Sequence, residues 1–265
     1  MNVLTAFLIT LVLVVIAKTG AWLLQLRTGN AGLVDAIWAL TLGLLALVYA
    51  ICGTAPAGTR VLLALMGGLW GLRLGAHLWR RNAGQPEDWR YAQLRKEWGT
   101  SANHKMFWFF QFQNVFTLML SASAYGAVAY RMTAPAAACV ILALGIWVTS
   151  VLGEALSDSQ MSAFRRNPAN KGRVCRDGFW RYSRHPNYFF ECLHWLAYVP
   201  LALDAPWGWS TLIAPLVMTF LIFQNFRKAN TLTRRRKNFC QKPKERPPRL
   251  RPPNLPIQLR FSRYP

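Results

Sequence analysis

Apolar residues gather into seven runs, at residues 3–26, 32–53, 61–79, 106–130, 134–156, 188–203 and 211–226, separated by polar and mostly basic stretches. Each run is near the length of about 20 residues that a helix needs to cross hydrocarbon about 30 Å thick. The pattern predicts an all-α fold: a polytopic integral membrane helix bundle of about seven transmembrane helices. The first run has no basic n-region and carries Lys18 where a cleavage site would fall, so it reads as helix 1 rather than a removable signal.

Charge turns this pattern into a topology. Residues 80–105 hold Arg80, Arg81, Arg90, Arg95, Lys96 and Lys105, residues 157–187 hold seven Lys/Arg, and residues 227–265 hold thirteen. Seven spans put all three on one face and leave Arg60 and Arg131 on the other, which predicts the N-terminus out and the C-terminus in, across a bacterial inner membrane. The formal charge of +21 is thereby assigned to rims that meet anionic headgroups. No basic soluble domain is visible, which argues against a nucleic-acid partner. A chain that is 53% hydrophobic, with mean hydropathy +0.18 and 12 tryptophans, agrees with a membrane protein.

Two domains follow, a transmembrane unit over residues 1–226 and a basic tail over 227–265. Seven prolines between Pro243 and Pro265 break any long helix in that tail, so disorder is expected there. Five cysteines without a CxxC pair and four dispersed histidines suggest neither a disulfide framework nor a metal. Oligomeric state is not legible.

An ionisable group inside a span costs about 2.5–3.5 kcal/mol on insertion scales, so each one asks for a reason. Asp35 is either an interfacial carboxylate that meets water or Arg27, or a catalytic acid. Arg73 either snorkels toward the rim or faces an anion in a cavity, and Gly67, Gly71 and Gly75 repeat every four residues around it, a strip suited to close helix packing. Glu154, Asp158 and Arg165 would share a face if helix 5 were continuous. Tyr188, Glu191 and Trp195 follow i, i+3, i+7 with His194 beside them, a polar-aromatic stripe that belongs in the bundle interior.

The stretch WRYSRHPNYFFE at 180–191 begins that stripe. Pro186 suits the first turn of a helix, with His185 or Ser183 as cap. The free N–H groups there, flanked by Arg181, Arg184 and His185, suit a phosphate. Upstream, RRNPANKGRVCRDGFWRYSR adds Arg165, Arg173, Trp180 and Tyr182 to the candidate ligand contacts.

DSQMSAFRRNPANKGRVCRDGFWRYSRHPNYFFE resembles the signature of the membrane steroid 5-alpha-reductase superfamily, in the bacterial DUF1295 branch. GLRLGAHLWRRNAGQPEDWRYAQLRKEWG and LVDAIW are similar to that branch too, and the resemblance covers residues 30–226 before the pattern ends near Phe226. It implies a seven-helix enzyme that binds NADPH at its cytoplasmic end and reduces a carbon–carbon double bond in a hydrophobic, lipid-like enone. Carried over by position, Asp158, Arg165, Asn187 and Tyr188 would contact the cofactor, with Glu191 beside the nicotinamide and Asp35 as proton donor. Arg73, Arg173, Trp180, Tyr182, Arg184 and His185 complete the expected cofactor site. No GxGxxG stands between a strand and a helix, so the dinucleotide would lie in the bundle. A bare RHPxY is also similar to isoprenylcysteine carboxyl methyltransferases, which leaves lipid methylation from S-adenosylmethionine as the alternative, and a non-enzymatic scaffold or transporter as a third class.

Overall fold

The computed structural model describes residues 1–223; the expected tail over 227–265 lies outside the described residues. Among the described residues the chain is helical and has no strand. α1 (Val3–Thr28) starts at Asn2, whose side chain accepts from the Thr5 N–H at 2.7 Å, and stops at Gly29 with φ +67°, a left-handed turn that glycine takes at least cost. α2 (Leu33–Cys52) and α3 (Ala57–Asn82) follow as an antiparallel pair. Their contact is the glycine strip: a Cβ on Gly71 would come within 2.6 Å of the Gly43 Cα, and one on Gly75 within 2.5 Å of Leu40. The four-residue period therefore marked a true backbone-to-backbone approach.

A short helix, α4 (Trp89–Trp98), is capped by Asp88 and precedes α5 (Ala102–Ser121). α5 passes through a π-helical stretch, Ala122–Gly126, into the turn α6 (Ala127–Ala129). Just beyond, the buried Arg131 is held by both oxygens of Asp204 at 2.7 and 2.8 Å and by the Leu201 carbonyl. That clamp ties the loop after α6 to the loop after α8 at the end of the bundle opposite α4. α7 (Ala137–Arg166) is continuous over 30 residues, about 45 Å, so Glu154, Asp158 and Arg165 do share one helix. α8 (Pro186–Leu196) opens with Pro186 at its first position and His185 as N-cap, as the RHPNY sequence predicts. The last described helix is α9 (Gly208–Phe223).

Four helices, α1, α2, α3 and α7, are long and apolar enough to cross a membrane. The other three apolar runs fold as α5–α6, as α8 with the 3-10 turn Pro200–Ala202, and as the shorter α9. These apolar helices make the chain an integral membrane protein. Its core joins Leu42, Leu45 and Tyr49 of α2, Leu63, Met66 and Trp70 of α3, Tyr125, and Trp195, Tyr198 and Leu201 around α8, all buried.

Candidate functional site

Arg73 gathers the first polar cluster. Its Nη2 lies 2.5 Å from Glu154 Oε2 and its Nη1 3.2 Å from Asp158 Oδ2, so α3 is tied to α7 by one guanidinium and two carboxylates. Glu154 and Asp158 are i, i+4 and meet Arg73 from one face. His77, one turn beyond Arg73, brings Nε2 to 3.7 Å from the same Asp158 oxygen. Of the two readings open for Arg73, snorkelling to the rim or facing an anion, the structure has it facing the two carboxylates of α7.

α8 closes the cluster. Glu191, His194 and Trp195 are buried, and Glu191 lies within electrostatic reach of Glu154, Asp158, Arg73 and Asp35. The His194 ring stacks on Trp70 at 4.1 Å between centroids, and its Nε2 is 3.2 Å from the Tyr198 hydroxyl. The stripe predicted for Tyr188, Glu191 and Trp195 thus borders one interior space. Gly153 makes the close α7–α8 approach possible, since a Cβ there would overlap the Phe190 ring.

The polar atoms in this space are incompletely paired. Arg73 Nε, Asn187 Oδ1, His194 Nδ1 and Trp195 Nε1 are buried without a hydrogen-bond partner among the described residues. Leaving one such group unpaired costs about 1–3 kcal/mol, so several around one space mark a place built for a polar ligand. A groove of about 310 Å³, lined by Arg73, His77, Arg80, Asp158, Ser159 and Ser162, runs between α3 and α7 on the outer side of the Arg73 cluster.

Asp35 has a different setting. The Tyr91 hydroxyl donates to its Oδ1 at 2.8 Å and Arg90 Nη2 to its Oδ2 at 2.9 Å, so its partners come from α4 and not from Arg27. Burial, then the Asp35 carboxylate, pushes the Tyr91 phenol well above its ordinary pKa, and it remains a proton donor at neutral pH. Arg90 is drawn the same way: burial opposes its charge, but Asp35 and Asp88 outweigh it and raise its pKa. Tyr188 of α8 lies within electrostatic reach of both Asp35 and Glu191.

The loop candidates divide. Trp180 donates from Nε1 to the Ser157 carbonyl at 2.9 Å and so pins the loop to α7. His185 stacks on Tyr188 with centroids 5.2 Å apart. Arg165, Arg173 and Arg184 are exposed at the mouth, and Tyr182 is 85% exposed, away from the buried cluster. Sequence reasoning passed over Trp70, His77, Arg90 and Tyr91. The i, i+4 spacing of Arg73 and His77 signalled one of them; nothing local signalled that Tyr91 would return to Asp35.

Fold and site together define a membrane helix bundle with a buried, acid-rich and aromatic cluster. The chain belongs to the family described as "Protein of unknown function (DUF1295)", which matches residues 21–242. The match runs past Phe226, so the family pattern extends further into the basic segment than the resemblance alone suggested. Neither a curated protein nor a solved structure matches the chain.

Proposed function

We propose that the chain is a membrane-embedded reductase that uses NADPH to saturate a carbon–carbon double bond conjugated to a carbonyl in a hydrophobic lipid. The observation that carries this reading is the set of unpaired buried polar atoms on α3 and α8, at Arg73, Asn187, His194 and Trp195, with a groove lined by Arg73 and Arg80 between α3 and α7. Its fit to a dinucleotide has two sides. Arg165, Arg173, Arg184 and the α8 N-terminus offer positive charge for phosphates at the mouth. Deeper in, Arg73 is already paired with Glu154 and Asp158, which leaves no free positive charge there for a phosphate.

When bound, NADPH supplies the hydride that goes to the β-carbon. The chain's own task is to hold a proton for the carbonyl oxygen, where negative charge develops. Tyr91 is the donor this reading assigns: its phenol keeps its proton, which rests on Asp35 Oδ1 and turns from it to the carbonyl oxygen. The resulting enol returns its O–H proton to Tyr91 as the α-carbon takes one from water, so hydride and proton together add two hydrogens across the double bond. Glu191 and Asn187 position the ligand, with the Asn187 amide oxygen free to accept a hydrogen bond from it. A bacterial inner membrane, with the basic rims against anionic headgroups on the inner side, is the setting that the Lys/Arg distribution favours.

Methyl transfer from S-adenosylmethionine is the second reading, because an acid-rich cluster beside Trp70 and Trp195 also suits a sulfonium. Calorimetry on the detergent-purified protein separates the two. NADPH is expected to bind, and Asn187→Ala to weaken it by about 1–3 kcal/mol with the fold intact. Binding of S-adenosylmethionine with none of NADPH would reverse the order.

A further inference from the structure

Lys18 lies in the middle of α1, on the buried stripe Ala6, Thr10, Val14, Lys18, Ala21 and Gln25. At 1.5 Å per residue it is about 15 Å from the Thr28 end of the helix and about 22 Å from the Val3 end. A lysine on the lipid face would stretch toward a headgroup. This one is 0% exposed, and its Nζ donates to Gln113 Oε1 of α5 at 2.8 Å.

That contact leaves the ammonium underused. An ammonium carries three donors, and Gln113 is a neutral acceptor for one of them. Among the described residues no carboxylate forms an ion pair with Lys18. Asp35 is near enough to act on it electrostatically, but its oxygens are occupied by Tyr91 and Arg90. Next along α5, Asn114 donates to Gln111 Oε1 at 2.8 Å while its own Oδ1 is buried without a partner. Gln111 in turn donates to Thr19 Oγ1 at 3.1 Å. The α1–α5 interface therefore holds a buried amine whose one hydrogen-bond partner is neutral, beside an unpaired Asn114 oxygen and separate from the cluster around Arg73. A lone buried ammonium is costly unless it loses its proton or something pairs with it.

We propose that Lys18 and Gln113 form an internal carboxylate site that takes the acid group of a long-chain lipid. Depth selects this chemistry. A phospholipid phosphate is held at the interface, whereas a carboxylate on a single acyl chain can be drawn to mid-bilayer and matches one ammonium in charge. On the reductase reading, on which the identification of this ligand as substrate rests, the lipid to be reduced carries a carboxylate besides its enone.

The full-length protein in non-ionic detergent provides the test, with palmitate, methyl palmitate and chloride as probes. Palmitate is expected to raise the melting midpoint and the methyl ester to do so far less. Lys18→Met should lower palmitate affinity at least tenfold and erase the acid-over-ester preference, Lys18→Arg should keep much of it, and NADPH affinity should be unchanged in both. Equal stabilisation by acid and ester in the unmodified protein overturns the proposal, as does chloride alone matching palmitate or an acid preference that survives in Lys18→Met. Should Lys18→Met not fold, the acid–ester comparison on the unmodified protein decides. Acid selectivity without NADPH binding would overturn the reductase reading and leave the carboxylate site standing.

Discussion

Two regions of this molecule are built from the same residue types and end up unlike. Around α4, Arg95 pairs with Glu87 and reaches Gln25, Arg90 pairs with Asp88 and Asp35, and Asn30 donates to the carbonyls of Asn82 and Gln85. Nearly every polar group there has a partner in the chain. Around Arg73 the same arginine–carboxylate chemistry is deeper, carries more acid than base, and leaves Asn187, His194 and Trp195 with orphaned atoms. A closed network spends its hydrogen bonds on holding helices together. An open one keeps them for something that is not part of the chain.

Truncating Arg73 should produce the largest effect. Arg73→Met removes the one arginine that bridges Glu154 and Asp158 and leaves two buried carboxylates with only His77 beside Asp158, an expected loss of about 3–5 kcal/mol. Chemical denaturation of the purified variant measures it. A loss under about 1 kcal/mol would mean that the cluster is wetter than its burial implies.

Tyr91→Phe comes next and separates chemistry from fold. It removes the hydroxyl that donates to Asp35 and keeps the ring between Phe109 and Phe110, so stability should change by only about 1 kcal/mol. Turnover of an enone should fall about a hundredfold or more, the usual contribution of a positioned proton donor. Unchanged turnover would remove the Asp35–Tyr91 pair from the mechanism and leave it to the cap.

The same contrast explains which parts were legible in the sequence. Periodicity predicted the helices, the Gly67–Gly71–Gly75 contact face and the Pro186 start of α8, because these are set within one or two turns of chain. It also predicted that Glu191 and His194 would turn inward. It could not pair faces: Arg73 with Glu154 and Asp35 with Tyr91 are separated by whole helices, and only the packing of α2, α3, α7 and α8 decides them. Lys18 read as a missing cleavage site because a single lysine in an apolar run has no partner in its own period. Arg90 and Tyr91 were submerged in the loop charge that set the topology. Tyr182, adjacent in sequence to true lining residues, was carried along by proximity and lies outside the cluster.

Within the cap, Arg95→Ala should cost about 1–2 kcal/mol, since its partner Glu87, with a side chain only 12% exposed, keeps the Ala31 N–H but loses its cation. Cofactor affinity should not move, because nothing in the α4 network lines the groove at Arg73. A parallel loss of NADPH binding would show that cap and cluster are one cooperative unit.

The smallest expected effect sets the two regions apart by pH. His185, at the mouth of the cluster, has its pKa lowered from the ordinary histidine value, first by burial and then by the neighbouring Arg184. Its folded form thus binds fewer protons than the unfolded chain, so its contribution to stability is complete above the unfolded pKa of about 6.5 and is lost as pH falls through the lowered folded value. In the cap, burial works to raise the Asp88 pKa, but hydrogen bonds and charge from Arg90 outweigh it and hold the carboxyl below its ordinary range. Its contribution persists above about pH 3.9 and disappears only in stronger acid. Between about pH 8 and pH 5, therefore, the mouth should lose stability while Asp88 does not. Melting midpoints across that window should slope less in His185→Gln than in the unmodified protein and equally in Asp88→Asn. Identical slopes in all three would show that His185 keeps its proton equilibrium on folding, and would take the pH sensitivity away from the RHPNY turn.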